Sequence, residues 1–242
     1  MVKKLLCVCW IAVVLTGYVN ARNPGSVQTA REFPDAQPPN GCTMEENWSL
    51  EDAWQKTTPT RAIVSLNGLW NFFPVTTPET GRMIPPRNSG WGFFKVPGIW
   101  PGMGNRKTQP GNSSAFYGLN SERFAGLNPS ALTSAWYRRT MKIPRSWNGK
   151  KIELEITMLQ TGGRIFIDGK KAGDMFFPGG RLDITESVVP GKEHELVILV
   201  SAIASRTGDS VFMAPDRAHK AARIISNRGI TGDVYLGAEA QG

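Results

Sequence analysis

The chain has 242 residues, 40% of them hydrophobic and 20% charged, with 28 Lys+Arg against 20 Asp+Glu and a formal net charge of +8. That composition excludes disorder along the whole length, and the length is too short for a full (β/α)8 barrel beside a second domain. Three Cys and two His are too few for a multi-ligand zinc site or an iron–sulfur cluster, so no metal and no cofactor is expected.

The first segment reads as an address. Lys3 and Lys4 precede an almost unbroken apolar run from Leu5 to Leu15, and Val19-Asn20-Ala21 has small residues at the positions a signal peptidase reads. The run is too short to span a bilayer, so residues 1–21 are expected to be a signal peptide cleaved near Ala21. The mature protein would then be secreted or periplasmic, with no transmembrane segment. Cleavage removes Cys7 and Cys9 and leaves Cys42 alone, which excludes an intrachain disulfide. The surplus of basic residues favours anionic polysaccharides by long-range attraction, or is simply solvated surface. No Lys/Arg block is interleaved with aromatics, which argues against nucleic acid. Asn47-Trp48-Ser49 and Asn112-Ser113-Ser114 fit the glycosylation acceptor pattern.

Residues 22–60 are polar and carry Pro24, Pro34, Pro38, Pro39 and Pro59, as a linker or draped N-terminal arm would; Trp48–Trp54 is compatible with a short turn of helix. Residues 61–75 read as the first strands, broken at Asn67-Gly68. Residues 76–134 read as loop. After Ala135 the strand signal strengthens. In Lys151–Leu159, Ile152, Leu154, Ile156 and Met158 share one face while Glu153, Glu155 and Thr157 share the other, the period of a half-buried strand. Gly163–Gly173 is a hairpin turning at Asp168-Gly169. Leu182–Thr185 is a short strand, 189–192 a turn, and Asp183 a cap or turn acceptor. Leu196–Val200 is uniformly apolar and reads as a strand covered on both faces. Asp233–Leu236 closes the series, and 203–228 is a long functional or capping loop with at most a turn or two of helix. Six or more short strands without a long amphipathic helix predict an all-β sandwich.

Residues with catalytic chemistry are sparse. No Gly-rich phosphate loop follows a strand. His194 lies between Glu193 and Glu195 at what reads as a solvated hairpin end, and His219 lies in a basic stretch, so neither resembles a triad histidine. The aromatics say more. Seven of the eight Trp lie between Trp48 and Trp147, and Trp91, Trp100 and Tyr117 fall in Gly/Pro-rich stretches. Loop aromatics stack on the apolar face of a sugar ring, or else plug the ends of a sandwich; Asn105 and Asn112 nearby add sugar-type hydrogen-bonding groups.

An ordered set of short motifs then carries a resemblance. Gly68-Leu69-Trp70-Asn71-Phe72, Val96-Pro97-Gly98-Ile99-Trp100 and Trp136-Tyr137-Arg138-Arg139 are followed by 143–151, 166–173, Asp183-Ile184-Thr185, Pro190-Gly191-Lys192 and Gly229–Leu236. Over about residues 61–240 the chain resembles the N-terminal sugar-binding domain of family-two glycoside hydrolases, which include β-galactosidases, β-glucuronidases and β-mannosidases. The resemblance implies a jelly-roll β-sandwich of the galactose-binding type over 61–242. In that family the two catalytic Glu sit in a later barrel; the acid/base Glu follows an Asn, and this chain has no Asn-Glu pair. The resemblance therefore implies a non-catalytic domain, with no catalytic residues of its own and a separate catalytic domain or chain as partner. Loops of this first domain in some members reach the sugar, through a residue in the stretch before the Gly-Ile-x-x-Asp-Val strand. Here that position is Asp216, with Arg217 beside it. A free-standing carbohydrate-binding module and a structural or adhesive sandwich are the alternative readings, the latter through exposed strand edges.

Overall fold

A computed structural model describes residue 35, residues 61–77, 79–100, 116–117, 123–128, 131–202 and 227–240. The segment read as a signal peptide, most of the arm, Cys42, Asn47, Asn112 and nearly all of the 203–228 stretch lie outside the described residues.

The described chain is an all-β sandwich in which every strand pairing is antiparallel. In chain order the strands are β1 (Arg61–Ser65), β2 (Gly68–Pro74), β3 (Gly92–Val96), β4 (Phe116–Tyr117), β5 (Ser134–Lys142), β6 (Lys150–Ile156), β7 (Leu159–Gln160), β8 (Gly162–Ile167), β9 (Lys170–Phe176), β10 (Gly180–Asp183), β11 (Glu193–Ser201), β12 (Gly229–Ile230) and β13 (Val234–Ala240). A four-stranded sheet has the order β1-β13-β6-β10, a seven-stranded sheet the order β4-β3-β2-β5-β11-β8-β9, and β12-β7 form a small ladder between connections.

The alternation of β6 does what period two requires. Ile152, Leu154 and Ile156 are buried, while Glu153 and Glu155 face out and join Arg61, Arg181 and Glu239 in a surface ladder of charge. Against that inner face pack Trp70, Phe72, Phe94, Tyr137, Ile165, Leu196 and Ile198 of the larger sheet. A second apolar cluster lies on the outer side of the larger sheet, where Phe73, Trp91, Phe124, Trp136, Val197 and Leu199 meet. β11 therefore has side chains buried on both faces, as its uniform apolar run predicts. Asp168 and Gly169 carry the two positive φ angles, 48° and 77°, that a two-residue turn between right-twisted strands requires. Asp183 accepts hydrogen bonds from the Thr185 amide and hydroxyl at 3.0 and 2.6 Å, closing the turn after β10.

Three details depart from the sequence reading. β3 lies inside the stretch read as loop. Phe94 and Val96 face the central core and Phe93 is buried on the other side, so double burial erased the alternation that would have marked it. Met158 does not share the inner face of β6, because the strand ends at Ile156 and Met158 is 38% exposed. His194 is not solvated: it is 7% exposed, and both of its ring nitrogens are engaged by the folds on either side.

Candidate functional site: the loop-bearing end of the sandwich

Three of the motifs that carry the resemblance, around 68–72, 96–100 and 229–236, are far apart in sequence and are joined by hydrogen bonds. Asn67 donates through Nδ2 to Asp233 at 2.8 Å and accepts from the Val234 amide at 2.9 Å, so one side chain joins the β1–β2 corner to the start of β13. The Gly98 amide donates to the Ile230 carbonyl and the Trp100 amide to the Arg228 carbonyl, both at 2.9 Å. The 97–100 stretch thus runs as an added backbone ladder beside 228–230.

Glycine is required where these stretches touch. A Cβ on Gly98 would lie 2.3 Å from the Lys95 carbonyl oxygen. One on Gly229, whose φ is +112°, would lie 2.9 Å from the Trp100 indole nitrogen and 3.1 Å from the Tyr137 hydroxyl. The space so kept lets Trp100 Nε1 donate to Tyr137 Oη at 2.5 Å in the interior. Burial holds the Tyr137 hydroxyl far above its ordinary pKa, so it stays neutral and able to accept.

Two arginines are buried here. Arg139 lies beside the Trp70 ring and donates to the Asn67 carbonyl at 3.1 Å. Burial pulls its pKa down to about 10, which leaves it charged at neutral pH. Arg228 donates to the Leu132 carbonyl, and burial lowers it too. The Ala202 amide donates to Thr133 at 2.8 Å. Both stems of segment 203–226, at Ala202 and Arg228, are therefore tied to 132–133, and the Arg228 stem is tied to Trp100, where segment 101–115 departs.

Of the expected sugar-contact residues, Trp91 and Trp100 are described in full, and each is buried. Trp91 Nε1 donates to the Pro86 carbonyl at 2.8 Å, and the Arg138 guanidinium lies 4.0 Å over its ring. Neither indole presents a face on which a sugar stacks. Trp100 belongs to the central core and Trp91 to the apolar cluster on the outer side of the larger sheet. Tyr117 lies in edge strand β4, its backbone opposite Phe93. Asn105, Asp216 and Arg217 lie outside the described residues, on the two segments whose stems meet at this end. Asn67, Arg139 and Arg228 were not singled out from the sequence. The pairing of Asn67 with Asp233 spans most of the chain and leaves no local pattern.

At the other end of β11, both nitrogens of His194 are engaged, by Asp168 and by the Val189 backbone. Among the described residues, no three His, Cys, Asp or Glu come together in a set that would hold a metal ion.

No protein-family model matches the sequence. Solved structures do. A β-glucuronidase from an uncultured Clostridium species is 18% identical over 76% of this chain and 30% of that one, with a TM-score of 0.51. The apo β-glucuronidase of Ruminococcus gnavus is 15% identical over 78% of this chain and 30% of that one, with a TM-score of 0.49. What is shared is the fold. The chain spans about 30% of the length of the β-glucuronidases it matches.

Proposed function

We propose that this chain is a non-catalytic, carbohydrate-associated domain of the family-two glycoside hydrolase type, a jelly roll of the galactose-binding kind that presents loops to sugar. The observation that carries this reading is the backbone hydrogen bond from Trp100 to Arg228. It joins Trp100, after which segment 101–115 begins, to Arg228, just after segment 203–226, and Asn105, Asp216 and Arg217 belong to those two segments. Scaffolded loops are where binding residues concentrate. An Asp carboxylate accepts from sugar hydroxyls, an Arg fork donates to their oxygens, and an Asn does both.

In this reading the paired carboxylates that cut a glycosidic bond belong to a separate catalytic module. The β-glucuronidase likeness supports the scaffold, while the sugar and the linkage follow from the loops. The protein enters the export route through residues 1–21, and N-terminal sequencing of the secreted form should begin at Arg22. Affinity electrophoresis of the mature chain through gels cast with neutral and acidic polysaccharides tests the binding. Retardation on at least one glycan, weakened by Asp216→Ala, is the expected result. A folded protein retarded by none refutes it. The purified chain should release no aryl alcohol from aryl glycosides, and turnover abolished by replacing one of its own carboxylates would refute the non-catalytic assignment.

A further inference from the structure

On the outer face of the smaller sheet every charge is answered. Arg61, Lys151 and Arg181 stand in ion pairs with Glu153, Glu155 and Glu239. The stretches 142–150 and 186–193 are built differently. The Gly191 amide donates to the Ile143 carbonyl at 2.8 Å, and the Ile143 amide donates to the Lys192 carbonyl at 3.0 Å, so the two stretches run side by side. Lys142 ends β5 opposite Glu193, the neighbour of Lys192, at the far end of the β5–β11 pair from Ser134 and Ser201. Arg145 lies against Gly191, where an added Cβ would come within 2.6 Å of the Arg145 Cγ and 3.1 Å of its Nε. Trp147 is buried and roots the 145–147 turn in the core. The Asn148 amide returns to the Arg145 carbonyl at 3.2 Å, and Lys150 opens β6 just beyond.

Lys142, Arg145 and Lys192 are exposed, and Lys150 is half-buried. None of the four is joined to a described carboxylate in an ion pair. The acids of the same stretches are Glu186 and Glu193, so cations are in excess on backbone that is fixed by hydrogen bonds.

We propose that these two joined turns form a docking surface for an acidic polysaccharide, one that carries a carboxylate or sulfate on its repeating sugars. The choice of polymer rests on the carbohydrate reading above; the residues are ones that reading does not use. Unpaired cations on neighbouring turns reinforce one another within a Debye length of about 8 Å at physiological ionic strength. They stand on separate stretches of backbone and end in long side chains, which suits anions repeated along a chain better than one small ion. Each anionic group that docks relieves repulsion among the cations and releases counterions, so charge density governs the contact and salt weakens it. Arg145 is already laid along Gly191, which lowers the cost of ordering it. Burial of Trp147 removes the one indole of these stretches from any role in stacking on bases. The basic residues of the sequence are not interleaved with aromatics either, which favours an acidic polysaccharide over nucleic acid.

The test is affinity electrophoresis of the mature chain through polygalacturonate, chondroitin sulfate, galactomannan and xyloglucan at low and physiological salt, with a duplex DNA competitor in a parallel series. Wild type is compared with Arg145→Gln/Lys192→Gln and with Lys142→Gln/Lys150→Gln. The control is Arg82→Gln/Lys95→Gln, which removes the same charge from exposed sites elsewhere, and Asp216→Ala is run beside them. Each variant is checked for wild-type circular dichroism and melting. The expected result is retention on at least one acidic polymer that falls with salt, weakened about tenfold by either turn variant and less than threefold by the control. Equal weakening by the turn variants and the control assigns the attraction to net charge and overturns the surface. Retention that only Asp216→Ala weakens overturns the surface and leaves the carbohydrate reading standing. Retention of wild type on no polymer, acidic or neutral, overturns both. Duplex DNA that displaces the acidic polymers at lower charge concentration assigns the turns to nucleic acid and overturns the proposal.

Discussion

The Asp168 carboxylate and His194 Nδ1 lie 2.7 Å apart, joining the β8–β9 turn to the start of β11. The Val189 amide donates to His194 Nε2 at 2.9 Å, so that nitrogen is an acceptor and the ring proton resides on Nδ1, aimed at Asp168. The second Asp168 oxygen accepts from the Glu195 amide at 2.8 Å. A turn residue thus also closes the end of the sandwich. Burial raises the Asp168 carboxyl, but the Glu195 amide and the His194 ring outweigh it and hold it below its ordinary value.

A group with a depressed folded-state pKa stabilises fully above its unfolded pKa, and that stabilisation disappears as pH falls through the folded value. Asp168→Asn keeps the positive φ but replaces one acceptor with a donor that faces an amide. At neutral pH it should melt below wild type, and the gap in Tm should narrow as pH falls from about 5 through the ordinary carboxylate value of 3.8 and below it. A gap that stays constant over that range would show that the charge contributes nothing.

Tyr137→Phe removes the hydroxyl that accepts from the Trp100 indole N–H. A buried donor left without a partner costs about 1–3 kcal/mol. Chemical denaturation followed by tryptophan fluorescence should show a lowered midpoint with an unchanged slope.

Gly229→Ala forces a methyl group into the contact between Trp100 and Tyr137, at a φ of +112° that side-chain-bearing residues rarely adopt. The two penalties add, and a loss of several kcal/mol is expected, at about the 4–5 kcal/mol that marks exceptional substitutions. Gly237→Thr should do the opposite. Gly237 sits mid-strand on the outer face of β13, its added Cβ would meet nothing within 4 Å, and its φ is not positive. Replacing a mid-strand glycine there should stabilise by about 0.5–1 kcal/mol, read as a raised Tm.

Ile156→Asp places a carboxylate against the inner face of β6, where Ile156 is fully buried. Loss of about 3–5 kcal/mol is expected for an unpaired buried charge, whereas Glu155→Ala on the outer face should cost about 1 kcal/mol or less. Equal melting temperatures for the two variants would reverse the assignment of faces.

Asp35 is the described point of the N-terminal arm. Its carboxylate accepts from the amides of Asn88, Gly90 and Trp91 at 3.1, 3.0 and 2.9 Å, a concave nest made by positive φ at Asn88 and Gly90. Asp35→Ala should lower stability by about 1–2 kcal/mol and speed proteolytic cleavage in the 79–91 segment, measured by mass spectrometry of a timed digest. Unchanged digestion would mean that the arm leaves this turn without consequence.

Local sequence determined the elements whose physics is local. β6 is legible because one face meets oil and the other water, so its alternation is written residue by residue. The β8–β9 turn is legible because two successive positive φ angles admit few residue pairs other than Asp-Gly. β11 is legible because both of its faces are covered. The ordered motifs, too, were legible as a set, and Gly98, Trp100, Tyr137 and Gly229 within them make contacts that bind distant stretches together.

Tertiary structure alone decided which way an aromatic faces. Trp91 and Trp100 sit in Gly/Pro-rich stretches that are compatible equally with a sugar platform and with a plug, and only the arrival of Arg138, Pro86 and Tyr137 from elsewhere in the chain buries them. The same holds for His194, whose charged neighbours imply solvent until Asp168 closes over it. Burial is set by what the rest of the chain brings to a position, and the residue itself carries no record of it.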